Sequence, residues 1–289
     1  MKFLITIMLL LFCSCDGKKK EEKPVTLAST NYPVKWCIDY ITGASVENNY
    51  PVPGDLDPAF WEPEDPDLKK LSTVDLVFIN GATYEKWLET VSLGNTFDTT
   101  AHLKDRFLTI KNAISHVHDG KKHSHDGVDF NTWLDLDLFK QQAAVIEKKL
   151  SSIIKKSAVD FSANLKSLNS ELDEVKESIG QAAGDQKKFL ASHPVYGYLA
   201  RSQGWEVKSF HWEPGEFPDN NEWAKLQGAL SFSKYMLWED TPSEDIQKKL
   251  KEIGVTAIVF RPCGNIPPSG DFIKEMKVNI QNLTEALKK

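Results

Sequence analysis

Four of the chain's seven histidines fall between residues 116 and 125, as His116, His118, His123 and His125. Imidazole is the commonest protein ligand for zinc and copper, so spaced imidazoles in one short segment point to a transition metal. The segment is internal, broken by Asp119, Gly120, Lys121 and Lys122, and flanked by patterned sequence, which separates it from a terminal tag. A solvated polar loop would share its composition, and a loop that gathers metal weakly near a tighter site is a third reading. Further along, His193, His211, Glu213 and Glu239 each stand at or just beyond the end of an apolar run, and imidazole with carboxylate suits zinc. Each also has an ordinary role open to it. His193 and His211 can be packed strand-end rings, Glu213 and Glu62 helix-start carboxylates before proline, and Glu239 a group that orients a neighbour. His102 belongs to no group and is read as surface.

Regular structure must hold these residues, and the apolar runs supply it. Runs at 25–29, 74–79, 189–192, 207–210, 235–238 and 256–260 read as strands alternating with helical stretches, which predicts an α/β fold with mostly parallel sheets. Between the two groups of strands, apolar residues at 159, 161, 165, 168, 172, 175, 179 and 183 recur every three or four positions, the mark of one amphipathic helix. The expected organisation is two lobes joined by that long, rigid bridging helix. An N-terminal lobe spans 25–157 with its His-rich loop at 116–126, the helix spans 158–186, and a C-terminal lobe spans 187–289. In such sheets ligands gather at the carboxyl ends of strands, where His193, His211, Glu213 and Glu239 fall. Trp61, Trp87, Trp133, Trp212, Trp223 and Trp238 are expected in cores or cleft walls.

The start of the chain places it in a compartment. Met1-Lys2 precedes an apolar run at 3–12 that is too short to span a bilayer and has the shape of a secretory signal. Phe12-Cys13-Ser14-Cys15 is similar to a bacterial lipobox, which makes 1–14 a lipoprotein signal peptide, Cys15 the lipidated residue and 15–24 a solvated linker. The protein is then expected to be anchored by lipid on the extracytoplasmic side of a membrane, which is the periplasm if the cell is Gram-negative. Cys37 and Cys263 remain, expected as buried free thiols, because one widely spaced pair gives no disulfide framework. A formal net charge of −6 gives no basic footprint for nucleic acid. With no nucleophile elbow, phosphate-binding glycine loop or dinucleotide fingerprint, an enzyme is not expected.

An ordered set of motifs runs through the chain. It comprises Thr26-Leu27-Ala28-Ser29-Thr30-Asn31-Tyr32-Pro33-Val34, Pro53-Gly54, Pro58, Phe60-Trp61-Glu62-Pro63, and Asp75-Leu76-Val77-Phe78-Ile79-Asn80-Gly81 with Glu85 and Trp87-Leu88. The His-rich loop, Thr132-Trp133-Leu134-Asp135, Ser192-His193-Pro194-Val195-Tyr196-Gly197-Tyr198-Leu199 and a last helix at 279–287 complete it. The whole resembles the zinc and manganese solute-binding proteins of bacterial ABC transporters. That resemblance implies two α/β lobes, metal in the cleft between them, and delivery to a membrane permease. The carrier is expected to be a monomer, with Zn2+ as transported ligand; Mn2+ is less suited to imidazole-rich ligation.

Where that family has a His after the first Pro, a His before Trp-Leu-Asp, a His opening the second lobe and an acid after the last strand, this chain has Ala59, Asn131, His193 and Arg261. Arginine stays charged at any relevant pH, and at about 6 Å from a dication, with an effective dielectric of about 20, the repulsion is about 5 kcal/mol. Two readings follow. In one the metal site is rebuilt from His193, His211 and Glu239, with His116, His118, His123 and His125 folding over from the other lobe. Asp57 and Glu62 then pair with Arg261, while Glu213 and Asn131 line the cleft. In the other, the fold binds without metal an anion, a metal chelate or a partner protein through Arg261.

Overall fold

The computed structural model describes residues 23–110, 116–118, 121–123, 127–155, 157 and 159–288. The expected signal peptide, Cys15, most of the linker and His125 lie outside the described residues. From the N-terminus run β1 (Thr26–Ser29), α1 (Tyr32–Thr42), β2 (Glu47–Asn49), α2 (Asp65–Thr73), β3 (Leu76–Ile79), β4 (Thr96–Asp98), β5 (Thr109–Ile110), β6 (His116–His118), β7 (Lys121–His123), β8 (Gly127–Val128) and α3 (Leu136–Ile153). The long α4 (Phe161–Ala183) follows. After it come β9 (Lys188–Ala191), α5 (Gly197–Gln203), β10 (Glu206–Ser209), α6 (Asn220–Ala229), β11 (Tyr235–Trp238), α7 (Glu244–Glu252), β12 (Thr256–Val259) and α8 (Phe272–Leu287).

Each half builds a parallel four-stranded sheet, in the orders β2-β1-β3-β4 and β10-β9-β11-β12. Helices cover such sheets on both faces, so their central strands read as short apolar runs, as Leu-Val-Phe-Ile of β3 and Tyr-Met-Leu-Trp of β11 do. Edge strands β2 and β4, Glu-Asn-Asn and Thr-Phe-Asp, lie outside the runs found in the sequence because three polar-rich residues carry no such signal. Strands β9, β10 and β12 stop a residue short of the predicted run, although Ser192, Phe210 and Phe260 just beyond them still donate to the neighbouring strand.

Helix α4 begins at Phe161 because Asp160 caps it, its side chain accepting from the Ala163 amide at 3.0 Å. Its buried stripe, Phe161, Leu168, Leu172, Val175, Ile179 and Ala183, packs against α1, α3 and α8. Its partners thus come from both halves of this same chain, not from a coiled-coil mate. One apolar cluster joins Leu27 and Phe78 to Leu168 and Leu172 and on to Phe189 and Ile258. Truncating Leu168 to Ala in such a core costs about 2–5 kcal/mol.

Polar bolts reinforce that core beside the cleft. Trp133 Nε1 donates to the Pro262 carbonyl at 2.7 Å, and Asn265 Nδ2 donates to the carbonyls of Pro53 and Leu56 at 2.8 Å each. Arg201 reaches across to Asp135 Oδ2 at 2.8 Å and to the Arg106 carbonyl at 2.7 Å. Cys37 and Cys263 are buried free thiols, as expected. No helix among the described residues is long and apolar enough to cross a membrane.

Candidate metal cleft

A cleft of about 1120 Å³ opens between the two halves, lined by loops that follow the strands of both sheets. On the second-half side, parallel pairing continues past the strand ends. The Ser192 amide donates to the Leu237 carbonyl at 2.8 Å, and the Trp212 amide donates to the Ser192 carbonyl at 2.8 Å. That register sets His193 beside His211, with ring centroids 5.7 Å apart and planes at 79°. His193 Nδ1 lies 3.4 Å from Glu213 Oε1 and 3.6 Å from Glu239 Oε1. Tetrahedral zinc with nitrogen and oxygen ligands at about 2.0–2.2 Å needs ligand separations of roughly 3.3–3.6 Å, so these atoms are spaced as edges of such a site. Among the described residues no group of three or more His, Cys, Asp or Glu is arranged to hold a metal ion, so the match in spacing is that of His193 with each carboxylate in turn.

Loss of water, then the nearby charges of Asp57 and Glu213, push the Glu239 carboxyl up to about 8. Its side chain keeps 30% of its surface open to the cleft. A cation placed among these acids relieves their repulsion. Among the described residues the lining holds eight acidic side chains against a single guanidinium, that of Arg261. Such a wall attracts cations and disfavours anions.

Arg261 does not pair with Asp57 or Glu62, contrary to the expectation from sequence. Its Nε and Nη2 donate to Asp240 Oδ1 at 3.1 and 2.6 Å, and its Nη1 donates to Glu275 Oε1 at 3.0 Å. The reason is local: β12 delivers Arg261 next to the turn after β11 and beneath α8, whose Asn279 grips the Arg261 amide and carbonyl at 2.8 Å each. Glu275 could have been foreseen, because it is the one acid within the mainly apolar buried stripe of α8, beside Phe272, Met276 and Leu283. A buried acid there calls for a cation. Asp240 left no comparable signal.

On the first-half side, Asp57 Oδ1 accepts from the Ala59 amide at 2.9 Å and caps the short turn Pro58–Phe60. Ala59 is buried in the core behind it, and Glu62 stands exposed at the rim. Asn131 lines the cleft with both its amide and its Nδ2 donating to Asp129 Oδ1 at 3.0 Å. Burial pushes Asp129 up to about 6. Strands β6 and β7 form a hairpin in which His116 is the register partner of His123 and His118 that of Lys121. The hairpin is carried by the β5–β8 pair, which leads directly to Phe130 and Asn131 of the cleft wall. The tryptophans are buried, with Trp61 and Trp133 also on the cleft wall, and His102 is exposed.

A profile of the ZnuA family, the periplasmic component A of zinc-uptake complexes, matches residues 27–286. The metal ABC transporter substrate-binding lipoprotein SloC of Streptococcus mutans is 26% identical over 221 residues, 73% of this chain and 70% of its own length. The manganese ABC transporter substrate-binding lipoprotein PsaA of Streptococcus mitis is 24% identical over 224 residues, 72% of this chain and 71% of its own. Among solved structures, the Zn(II)-bound ZnuA-like domain of Streptococcus pneumoniae AdcA has the same fold, with a TM-score of 0.75 at 19% identity over 92% of this chain and 100% of that one. Matched by that family profile along nearly its whole length, the chain belongs to the ZnuA family and is a metal ABC transporter substrate-binding protein.

Proposed function

We propose that the protein captures Zn2+ outside the cytoplasm and passes it to the permease of an ABC transporter. His193, Glu213 and Glu239 hold the ion, with His211 beside them and a further imidazole from the hairpin bearing His116, His118 and His123, or from His125. The observation that carries this reading is the placement of His193 Nδ1 at 3.4 and 3.6 Å from two carboxylates in a cleft of eight acids. Relatives differ in metal: PsaA is named for manganese and MtsA for iron, and the ZnuA-like domain of AdcA was solved with Zn(II) bound. Imidazole among carboxylates favours zinc over manganese, which prefers an oxygen-rich shell. The lipoprotein names of SloC and PsaA support a lipid anchor at Cys15. The working unit is a monomer, its lobes at 25–157 and 187–289 flanking the helix. An anion or chelate read through Arg261 is not favoured, since that guanidinium is committed to Asp240 and Glu275.

Calorimetric titration in chelator-buffered solution, with zinc and then with manganese, tests this. Tight one-to-one zinc binding is expected. Binding no tighter than about micromolar for either ion, a Kd that corresponds to about −8 kcal/mol, would remove the capture role.

A further inference from the structure

Glu239 is pinned through its two neighbours in the chain. The carbonyl of Trp238 accepts from the Phe260 amide at 2.8 Å. The carboxylate of Asp240 accepts from Arg261 through Nε and Nη2 at 3.1 and 2.6 Å, and it also takes the Thr241 amide at 2.7 Å. Consecutive residues of one strand end, 260 and 261, therefore hold the residues on either side of Glu239. Arg261 is itself fixed from below. Asn279 holds its backbone, and Glu275, whose side chain is only 2% exposed, holds Nη1 at 3.0 Å. Glu275 Oε2 accepts in addition from the Ser269 amide at 3.3 Å. The chain of contacts runs from α8 through the guanidinium to the turn that presents Glu239 to His193.

We propose that Arg261 is a positioning residue for cation capture, clamping the turn after β11 so that the Glu239 carboxyl meets His193. This rests on the reading of His193, Glu213 and Glu239 as the metal site. A planar guanidinium bridges two carboxylates in fixed directions, which an ammonium cannot reproduce. The proposal also reverses the sign expected from charge alone. If Arg261 were merely a positive charge beside the cleft, its loss would tighten cation binding; as a clamp, its loss weakens it.

Two charge-conserving variants read this out: Arg261→Lys, which loses the fork, and Asp240→Glu, which displaces the carboxylate by one methylene. Zinc affinity of the full chain is measured by competition with a chromophoric chelator, and thermal melts report folding. Each variant is expected to bind zinc about 10- to 100-fold more weakly, the usual consequence of disturbing a group that orients a metal ligand. In a Glu239→Gln background, Arg261→Lys should then cost less than about twofold, a loss of coupling that a general structural weakening would not produce. If Glu239→Gln weakens binding while both charge-conserving variants stay within about twofold of the parent, or Arg261→Met binds more tightly, the clamp is overturned and the site stands. If Glu239→Gln binds like the parent, the site reading fails and the clamp fails with it. Arg261→Met leaves Glu275 buried without its cation and is at risk of not folding; the two charge-conserving variants decide the matter without it.

Discussion

The strand ends of the two sheets face the same cleft and are built on opposite principles. In the first sheet the polar groups satisfy one another. Glu85 accepts from Thr30 Oγ1 at 2.6 Å, from the Asn80 amide at 2.7 Å and from the Gly81 amide at 3.0 Å. Gln142 Nε2 donates to Asn80 Oδ1 at 3.0 Å and to Thr99 Oγ1 at 2.8 Å. Gly81 sits at φ 79°, and a Cβ there would meet Asp98 Oδ1 at 2.0 Å, so the network closes only around glycine. The second sheet instead sets His193 Nδ1 3.4 Å from Glu213 and 3.6 Å from Glu239, with the charges of Glu213 and Asp57 both bearing on Glu239. A satisfied buried network specifies a frame, whereas crowded like charges mark a place that awaits a cation.

The sharpest way to break this contrast is His193→Ala. Zinc affinity should fall at least about 100-fold, or about 2.7 kcal/mol, with the melting temperature of the metal-free protein nearly unchanged. A variant that binds zinc as the parent does would take His193 out of the site. The converse substitution, Glu85→Ala, strands a buried hydroxyl and two amides and should cost about 2–3 kcal/mol in denaturant unfolding, while affinity moves less than about threefold. Equal losses in both assays would erase the distinction between frame and working face.

Titration sharpens the comparison further. Burial pushes the Glu85 carboxyl up to about 7 against the hydrogen bonds that hold it down, and Glu239 stands at about 8. Unfolded, both ionise near the ordinary value of 4.5. The folded, metal-free protein therefore binds more protons than the unfolded chain above that value, and its stability should decline as pH rises from about 5 to 8. Glu239→Gln should flatten part of that decline and Glu85→Gln another part; melts that show no slope would contradict both. Zinc binding runs the other way and should weaken as pH falls, first as protons compete for Glu239 below about pH 8 and more steeply below about pH 6, where they compete for imidazole. The smallest expected effect is that of deleting residues 116–126. A loss of about tenfold in zinc affinity identifies the hairpin as a ligand donor, whereas unchanged affinity with slower metal transfer makes it a collector.

Much of the frame was legible because burial writes itself into apolar runs. The central strands, the stripe of α4 and the buried tryptophans all follow from that. Strands β2 and β4 did not, since an edge strand of three residues is specified by its neighbour's unpaired backbone and not by its own side chains. His193, Glu213 and Glu239 were legible as residues that end strands, because parallel sheets aim those positions at one crevice. The partner of Arg261 was not. Asp57 and Glu62 are near the lost first histidine in sequence, but the contact is decided by α8 folding back over β12, and only Glu275 within the apolar stripe hinted at it.

The bolts across the cleft, Trp133 to Pro262, Asn265 to Pro53 and Leu56, and Arg201 to Asp135, have a further consequence. A hinged clamshell announces its cargo by changing silhouette. A molecule riveted on both flanks is expected to keep nearly the same outline on loading, which small-angle scattering with and without zinc would check. A receptor that read only that outline would then be engaged almost as readily by the empty carrier, and transport would slow when unloaded copies outnumber loaded ones.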